Sequence, residues 1–450
     1  MLAVMGWLRP WLLVLCTSSC RWHFDAVDDG RLGGPRTVTA IVHGRGAVAS
    51  EPAGLACIDQ CGATFDGPVV LRAFPAGANG VASWSFPGCG AAPTCVVTGS
   101  NDQTVTVDLT GPPDTLGANL AFVTSGAHAG AFKAAIDPDG LDGANRFCQQ
   151  TAGAAGIAGT YVAFMSNNTS ARNATDQLAG GRGWVRTDGA IVYRTLADVA
   201  AGTQFHAIDL DEHGVQSGTL AWIGGNAAAR AQAGVPDCQG WTSQAPADDG
   251  NLMFANDVIA DRLIVPGSCD VAESVMCMGV DRAVDLPIAA FPVGRYAFVT
   301  RAKWPAIGTS LAAIDAACAA DAGAAGLPGH FVAGVATSTQ TISDRIGGVG
   351  GPWRRPDGIL ITFDALSDDL AAPIDVTATG EPQNTVVWTG SSHVDLASFI
   401  GECADWTTPN DTVSGGFGFS MTSNNLGWMD QGGYGCSFAD GAFYCMQTAN

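Results

Sequence analysis

Lysine is nearly absent from this chain of 450 residues: Lys133 and Lys303 are the only two. With 21 basic residues against 42 acidic ones and a formal net charge of −21, there is no basic stripe to neutralise phosphates, which excludes nucleic acid as a partner. Such acidity favours solubility and draws cations, but specifies no fold. Catalytic words are missing too. The seven histidines stand scattered at 23, 43, 128, 206, 213, 330 and 393, and no His-Glu-x-x-His, Gly-x-Ser-x-Gly or phosphate loop occurs. No enzyme is expected, although an acidic chain holds many carboxylates that could pair. Apart from a short run near position 12 there is no long apolar stretch, so no segment reaches the about 20 residues a membrane-spanning helix needs. Glycine is plentiful, with 59 residues, but has no three-residue period. That excludes collagen and points to loop-rich globular modules.

What the chain does have is a pattern of cysteines. After position 20 they form three groups of four, and the last two groups are copies. Cys148, Cys238, Cys269 and Cys277 recur as Cys318, Cys403, Cys436 and Cys445, at offsets of 170, 165, 167 and 168 residues. The words around them repeat. Ala121-Phe122-Val123-Thr124 returns as Ala297-Phe298-Val299-Thr300, and Ala152-Gly153-Ala154-Ala155-Gly156 as Ala322-Gly323-Ala324-Ala325-Gly326. Trp184-Val185-Arg186-Thr187-Asp188-Gly189 matches Trp353-Arg354-Arg355-Pro356-Asp357-Gly358. Trp222-Ile223-Gly224 matches Trp388-Thr389-Gly390, and Cys238-Gln239-Gly240-Trp241-Thr242 matches Cys403-Ala404-Asp405-Trp406-Thr407. One module of roughly 160 residues is therefore used twice.

Residues 1–20 read as an export signal: Arg9, the apolar run Trp11-Leu12-Leu13-Val14-Leu15, then small residues. Ser18-Ser19-Cys20 resembles the cleavage site of a bacterial lipoprotein signal, although Thr17 stands where that family usually has Leu. The resemblance implies lipidation of Cys20 and attachment to a membrane through that lipid. An exported cell-envelope location, outer-membrane or cell-surface, follows as an expectation. Even, regularly spaced cysteines outside the cytosol imply disulfides.

Residues 21–36 read as a polar tether with an acidic patch. Residues 37–112 read as a small all-β module, with Val38, Ala40 and Val42 alternating with polar neighbours and further strands near 69–74 and 104–109. Cys57, Cys61, Cys89 and Cys95 fall in its loops. Their two close pairs also have zinc-like spacing, but an exported context favours disulfides. Gly44-Arg45-Gly46, Val48-Ala49-Ser50-Glu51-Pro52, Cys57 to Cys61, Phe65, Ser83-Trp84-Ser85 and Val105-Thr106-Val107 together resemble the divergent B-repeat of internalin-type surface proteins. That resemblance implies a spacer or adhesion-like module without a catalytic site. Pro-containing connectors at 113–118 and 281–293 separate the modules and stiffen the joints.

Each copy opens with a strand, followed by a short helix. The first helix is expected over 142–152 with Asp142 as N-cap, the second over 310–321. The opening Ala-Phe-Val-Thr, the helix cysteine, Ala-Ala-Gly, Trp-x-Gly, Cys-x-x-Trp-Thr and the final cysteine resemble the C-type lectin fold, in the branch of endostatin and the noncollagenous domains of some collagens. The expected architecture is α+β, with two tandem C-type-lectin-like domains at 119–280 and 294–448. The resemblance implies nested pairing, Cys148 with Cys277 around Cys238 with Cys269, and Cys318 with Cys445 around Cys403 with Cys436.

Trp222, Trp241, Trp388 and Trp406 sit beside cysteines at matched spacing and read as core. Trp184 and Trp353, beside arginines, are the candidates for exposed ligand contact. Asp248, Asp249 and Asn251 in the first copy, and Asn424 and Asn425 in the second, lie in the divergent loops and suit a hydroxyl-rich ligand. No cofactor is expected, and calcium is a weak candidate only. Asp137-Pro138-Asp139-Gly140-Leu141-Asp142 has a calcium-loop composition but no counterpart in the second copy. Glu381-Pro382-Gln383-Asn384 only approximates the Glu-Pro-Asn word of sugar-binding C-type lectins, and Trp-Asn-Asp is absent. The expected function is recognition of a glycan or an extracellular protein. A structural envelope protein without a small-ligand site is the alternative, and a hydrolase the remote one.

Overall fold

The computed structural model describes residues 35–115, 117–225, 232, 234–258, 264–398, 401–423 and 427–449. Cys20, with the rest of the signal and most of the tether, lies outside the described residues. The fold is α+β and mostly sheet. Among the described residues, no helix is long and apolar enough to cross a membrane.

The first module is two four-stranded sheets packed face to face. One carries Gln60–Phe65, Arg36–Gly44, Gln103–Leu109 and Ser83–Trp84 in that order; the other carries Ala56–Cys57, Gly46–Glu51, Val69–Pro75 and Thr94–Val97. Alternation puts Val38, Ala40, Val42, Val105 and Val107 into one shared core with Val48, Val69 and Leu71. The chain changes sheets at Arg45. Gly46 is required there, because its φ is +151° and a Cβ would stand 2.5 Å from Phe74 O. Cys57 pairs with Cys61, and Cys89 with Cys95. Three of these cysteines lie on strands rather than in loops, which lets each bond staple a strand end.

Each copy is built around one strand that is buried on both faces. In the first copy it is Ser274–Gly279, with all six residues buried. It pairs antiparallel with Asn119–Val123 and Tyr161–Ala163 and parallel with Leu220–Trp222. In the second copy Ala442–Gln447 pairs in the same way with Arg295–Val299, Phe331–Ala333 and Val386–Trp388. Both copies form eight-stranded sheets of the same order.

The helix of each copy packs on this strand through a disulfide. Cys148, mid-helix in Gly140–Ala154, bonds Cys277; Cys318, in Leu311–Ala324, bonds Cys445. The inner bonds are Cys238–Cys269 and Cys403–Cys436. The first helix starts earlier than its sequence suggests. Asp139, not Asp142, is the N-cap, accepting from Asp142 N. Gly140 can then press against the backbone, where a Cβ would meet Gly240 O at 2.2 Å. Ser310 caps the second helix through Ala313 N.

The three modules touch. Arg45 pairs with Asp364 at 2.6 Å and lies over the Phe363 ring. Phe74 meets Phe291 of the second connector edge-on, with centroids 6.3 Å apart. Phe205 of the first copy packs with Ile359 and Ala372 of the second.

A bond across the 127 positions from Cys318 to Cys445 stabilises by about 4–5 kcal/mol in the chain-entropy model. A peptide map made without reductant is expected to recover Cys318 linked to Cys445 and Cys148 linked to Cys277. Replacing both Cys318 and Cys445 with serine should cost about 2–5 kcal/mol in a denaturant melt. Linkage of Cys148 to Cys238 would contradict the fold.

Candidate functional site

Each copy carries a single left-handed turn on its Cys-x-x-Trp word. Over Cys238–Trp241 φ runs +49°, +58°, +68° and +65°; over Cys403–Trp406 it runs +51°, +55°, +53° and +61°. For side chains other than glycine this costs roughly 1–2 kcal/mol per residue, and only Gly240 avoids it. The surroundings hold the turn in place. Its cysteine is tied by the inner disulfide, and its indole donates inward, Trp241 Nε1 to Ser166 O at 2.8 Å and Trp406 Nε1 to Ala336 O at 2.9 Å. A carboxylate fastens the neighbouring loop. In the first copy Asp237 accepts from Gly240 N at 2.9 Å and Asn168 N at 2.7 Å. In the second, Asp405 on the turn itself accepts from Ser338 N at 2.7 Å and Ser338 Oγ at 2.8 Å. Gln239 and Ala404 are left facing outward.

Several residues expected to contact ligand serve the scaffold instead. Trp184 and Trp353 are fully buried, at 0% exposure. Their indoles donate to Gly279 O at 2.7 Å and Val349 O at 2.9 Å, and the arginines that suggested a surface position turn inward as well. Arg186 pairs with Asp188 at 2.7 Å and Asp209 at 2.5 Å; Arg355 pairs with Asp357 and Asp375 in the same way. In each triad one cation serves two carboxylates. Burial pushes Asp375 up to about 6 despite Arg355, and pushes Asp209 above the ordinary carboxylate value despite Arg186. Asn251 is also buried and donates to Gly225 O at 3.1 Å. Asp248 accepts from Ser243 Oγ at 2.5 Å and Gln239 Nε2 at 3.2 Å, bonds that hold its carboxyl below the ordinary carboxylate value. Asp249 alone of this group stands exposed, as does Gln244 five positions earlier in the chain. Asn424 and Asn425 lie outside the described residues.

The calcium-like acidic run is spent on arginine. Asp137 binds Arg146 at 2.7 Å, and Asp139 and Asp142 bind Arg172 at 2.9 and 3.1 Å. Among the described residues, no group of three or more His, Cys, Asp or Glu is placed to hold a metal ion.

The second half of the long loops joins the two copies. Asp257 and Thr422 form an antiparallel bridge, and each lies 19 residues after its copy's Cys-x-x-Trp cysteine. A position that meets its own counterpart marks a local two-fold axis, as in an isologous dimer. Val258 N donates to Met421 O at 3.0 Å, Thr422 Oγ1 to Asp257 Oδ1 at 2.8 Å, and Ser423 Oγ to Asn256 O at 3.3 Å. Burial pushes Asp257 up to about 7 despite the Thr422 hydroxyl. Beside it Asn256 Oδ1 is buried with no hydrogen-bond partner among the described residues.

A cleft of about 600 Å³ opens where the β module and both copies meet. Among the residues lining it is His206, which sequence comparison of the two copies passes over because the second copy has no histidine to match. No known family model matches the chain, and no curated protein matches it.

Asp257 makes the junction of the copies sensitive to pH. Its proton is retained in the folded state up to about pH 7, while the unfolded chain releases it near the ordinary carboxylate value. Its stabilising contribution is therefore full below that value and is lost as pH rises to about 7, by roughly 2–4 kcal/mol. Denaturant melts of the parent and Asp257→Asn between pH 4 and 8 should diverge by this amount. Parallel profiles would show that Asp257 is not buried at the junction.

Proposed function

We propose that this chain is an exported, lipid-anchored surface protein that binds an extracellular glycan or protein and catalyses nothing. In this reading the lipid sits on Cys20, the β module is a B-repeat-like spacer, and the two copies are C-type-lectin-like binding modules. One observation carries it. Both copies maintain the same costly left-handed turn, yet the side chains around it differ. The first copy presents Gln239, Gln244 and Asp249; the second presents Ala404, Asn410 and Asp411. A backbone held rigidly twice while its outward groups vary is what a recognition rim requires. Amide and carboxylate groups in that rim suit hydroxyls or backbone groups of a partner.

The test displays the full chain against a glycan array and a panel of envelope proteins. Gln244→Ala with Asp249→Ala should weaken capture through the first copy roughly tenfold, and Asn410→Ala with Asp411→Ala should do so for the second copy. Both variants should keep the parent's thermal midpoint, and the two copies should differ in ligand or affinity. Capture unaffected by either pair would remove the rim from recognition. No capture of any glycan or protein would favour a structural envelope role.

A further inference from the structure

The cleft at the three-module junction has the composition of a site for a small ligand. Phe74 and Asn79 face it from the β module, Phe291 from the connector, Ile359 from the second copy, and Arg186 and His206 from the first. Apolar walls with a few convergent polar groups are the usual make-up of a ligand pocket, and the volume suits a short oligosaccharide.

His206 is the informative residue. It is only 8% exposed. Its Nδ1 lies 2.7 Å from Ile191 O; a carbonyl can only accept, so Nδ1 carries the proton. Burial, and after it the charge of Arg186, lowers the imidazole to about 4. At neutral pH the ring is therefore uncharged, and Nε2 is a bare acceptor. No hydrogen bond reaches Nε2 among the described residues.

The fold does not need this imidazole. Phe205 N donates to Val192 O, and at the matching place in the second copy Ala371 N donates to Ile361 O. The next residue is His206 in one copy and Ala372 in the other, both buried. His206 Nε2 is not one of the buried polar atoms left without a partner, so it opens onto the cleft, and the duplicate shows that alanine can stand at this place in the scaffold.

The other polar groups define the ligand. Arg186 is paired with Asp188 and Asp209, so it offers no free charge to an anion, and the oxygens of both carboxylates are already taken by Arg186, Ala190 N and Gln216 Nε2, which leaves none to hold a cation. Asn79 donates one hydrogen to Ala76 O at 2.8 Å and retains its second N–H and its carbonyl oxygen. Arg72 and Asp114, one cation and one anion, both stand exposed at the rim, so the rim adds hydrogen-bonding groups without a net charge of either sign. Phe74 and Phe291, edge to face, supply apolar surface for the C–H face of a ring.

We propose that this cleft binds a neutral polyhydroxylated ring compound, a short saccharide, with one ligand hydroxyl donating to His206 Nε2. The site is separate from the loop rim and stands or falls without it.

Saturation-transfer NMR on the full chain, with cellobiose, maltotriose and chitotriose as probes at millimolar concentration, tests this. At least one probe should receive saturation and shift the imidazole ¹⁵N resonance of Nε2 away from that of a bare nitrogen. His206→Phe, which keeps a flat ring and removes the acceptor, should weaken that probe about tenfold. Its disulfide map and its capture through the loop rim should match the parent. If His206→Phe scrambles the map, Asn79→Ala replaces it, with the same loss expected. The site is overturned if no probe moves the Nε2 resonance, or if the variant used binds the responding probe as the parent does. Loss of array capture in the rim variants with the Nε2 shift intact would leave the cleft standing and separate the two sites.

Discussion

One covalent bond in each copy carries the architecture: the disulfide from mid-helix to the strand that is buried on both faces. Cys148–Cys277 and Cys318–Cys445 hold the helix on the strand to which three neighbours pair. With helix and central strand fixed, the remaining chain can run in long loops that need little regular structure of their own. The inner disulfides then close those loops at the Cys-x-x-Trp turn. That closure, with the inward indole hydrogen bonds, offsets the cost of four consecutive left-handed residues. Stability is concentrated in the framework, which leaves the outward groups of the rim free to differ between copies.

Much of the framework was legible because it is duplicated. Cysteines repeated at near-constant offset and Trp222, Trp241, Trp388 and Trp406 beside them mark the core, and all four tryptophans are fully buried. The same evidence misplaces Trp184 and Trp353. An aromatic beside arginine reads as surface, but Arg186 and Arg355 are folded inward, each onto a carboxylate 2 residues on and a second one 23 or 20 residues away. Such a triad cannot be seen without the fold that assembles it. Nor is the left-handed turn visible, since only Gly240 hints at it and its counterpart is Asp405. Helix limits moved because a close backbone approach at Gly140, not the most favourable-looking cap, decides where the helix begins.

The packing of one copy on the other was not legible at all. It joins Asp257 to Thr422, two residues unlike in chemistry that share only a position in the repeat. Its consequence is structural: loop segments that an isolated module would expose, Asn256 to Val258 and Met421 to Ser423, are used up in the junction, which under the proposed function leaves the rim at the disulfide end and the cleft as the surfaces open to a ligand. His206 belongs to the cleft for the same reason. It means little within one copy and lines a cleft only where three modules meet.

Docking of the two copies about that two-fold position is the central claim, and an engineered bond tests it most directly. Antiparallel bridge partners lie within about 5.5 Å between Cα atoms, inside the reach of a disulfide. Asp257→Cys with Thr422→Cys in the full chain should form a seventh disulfide spontaneously, recovered as a linked peptide pair without reductant, beside the six native bonds. Two free thiols at these positions, with all six native bonds intact, would show that the copies do not pair there and would contradict the account.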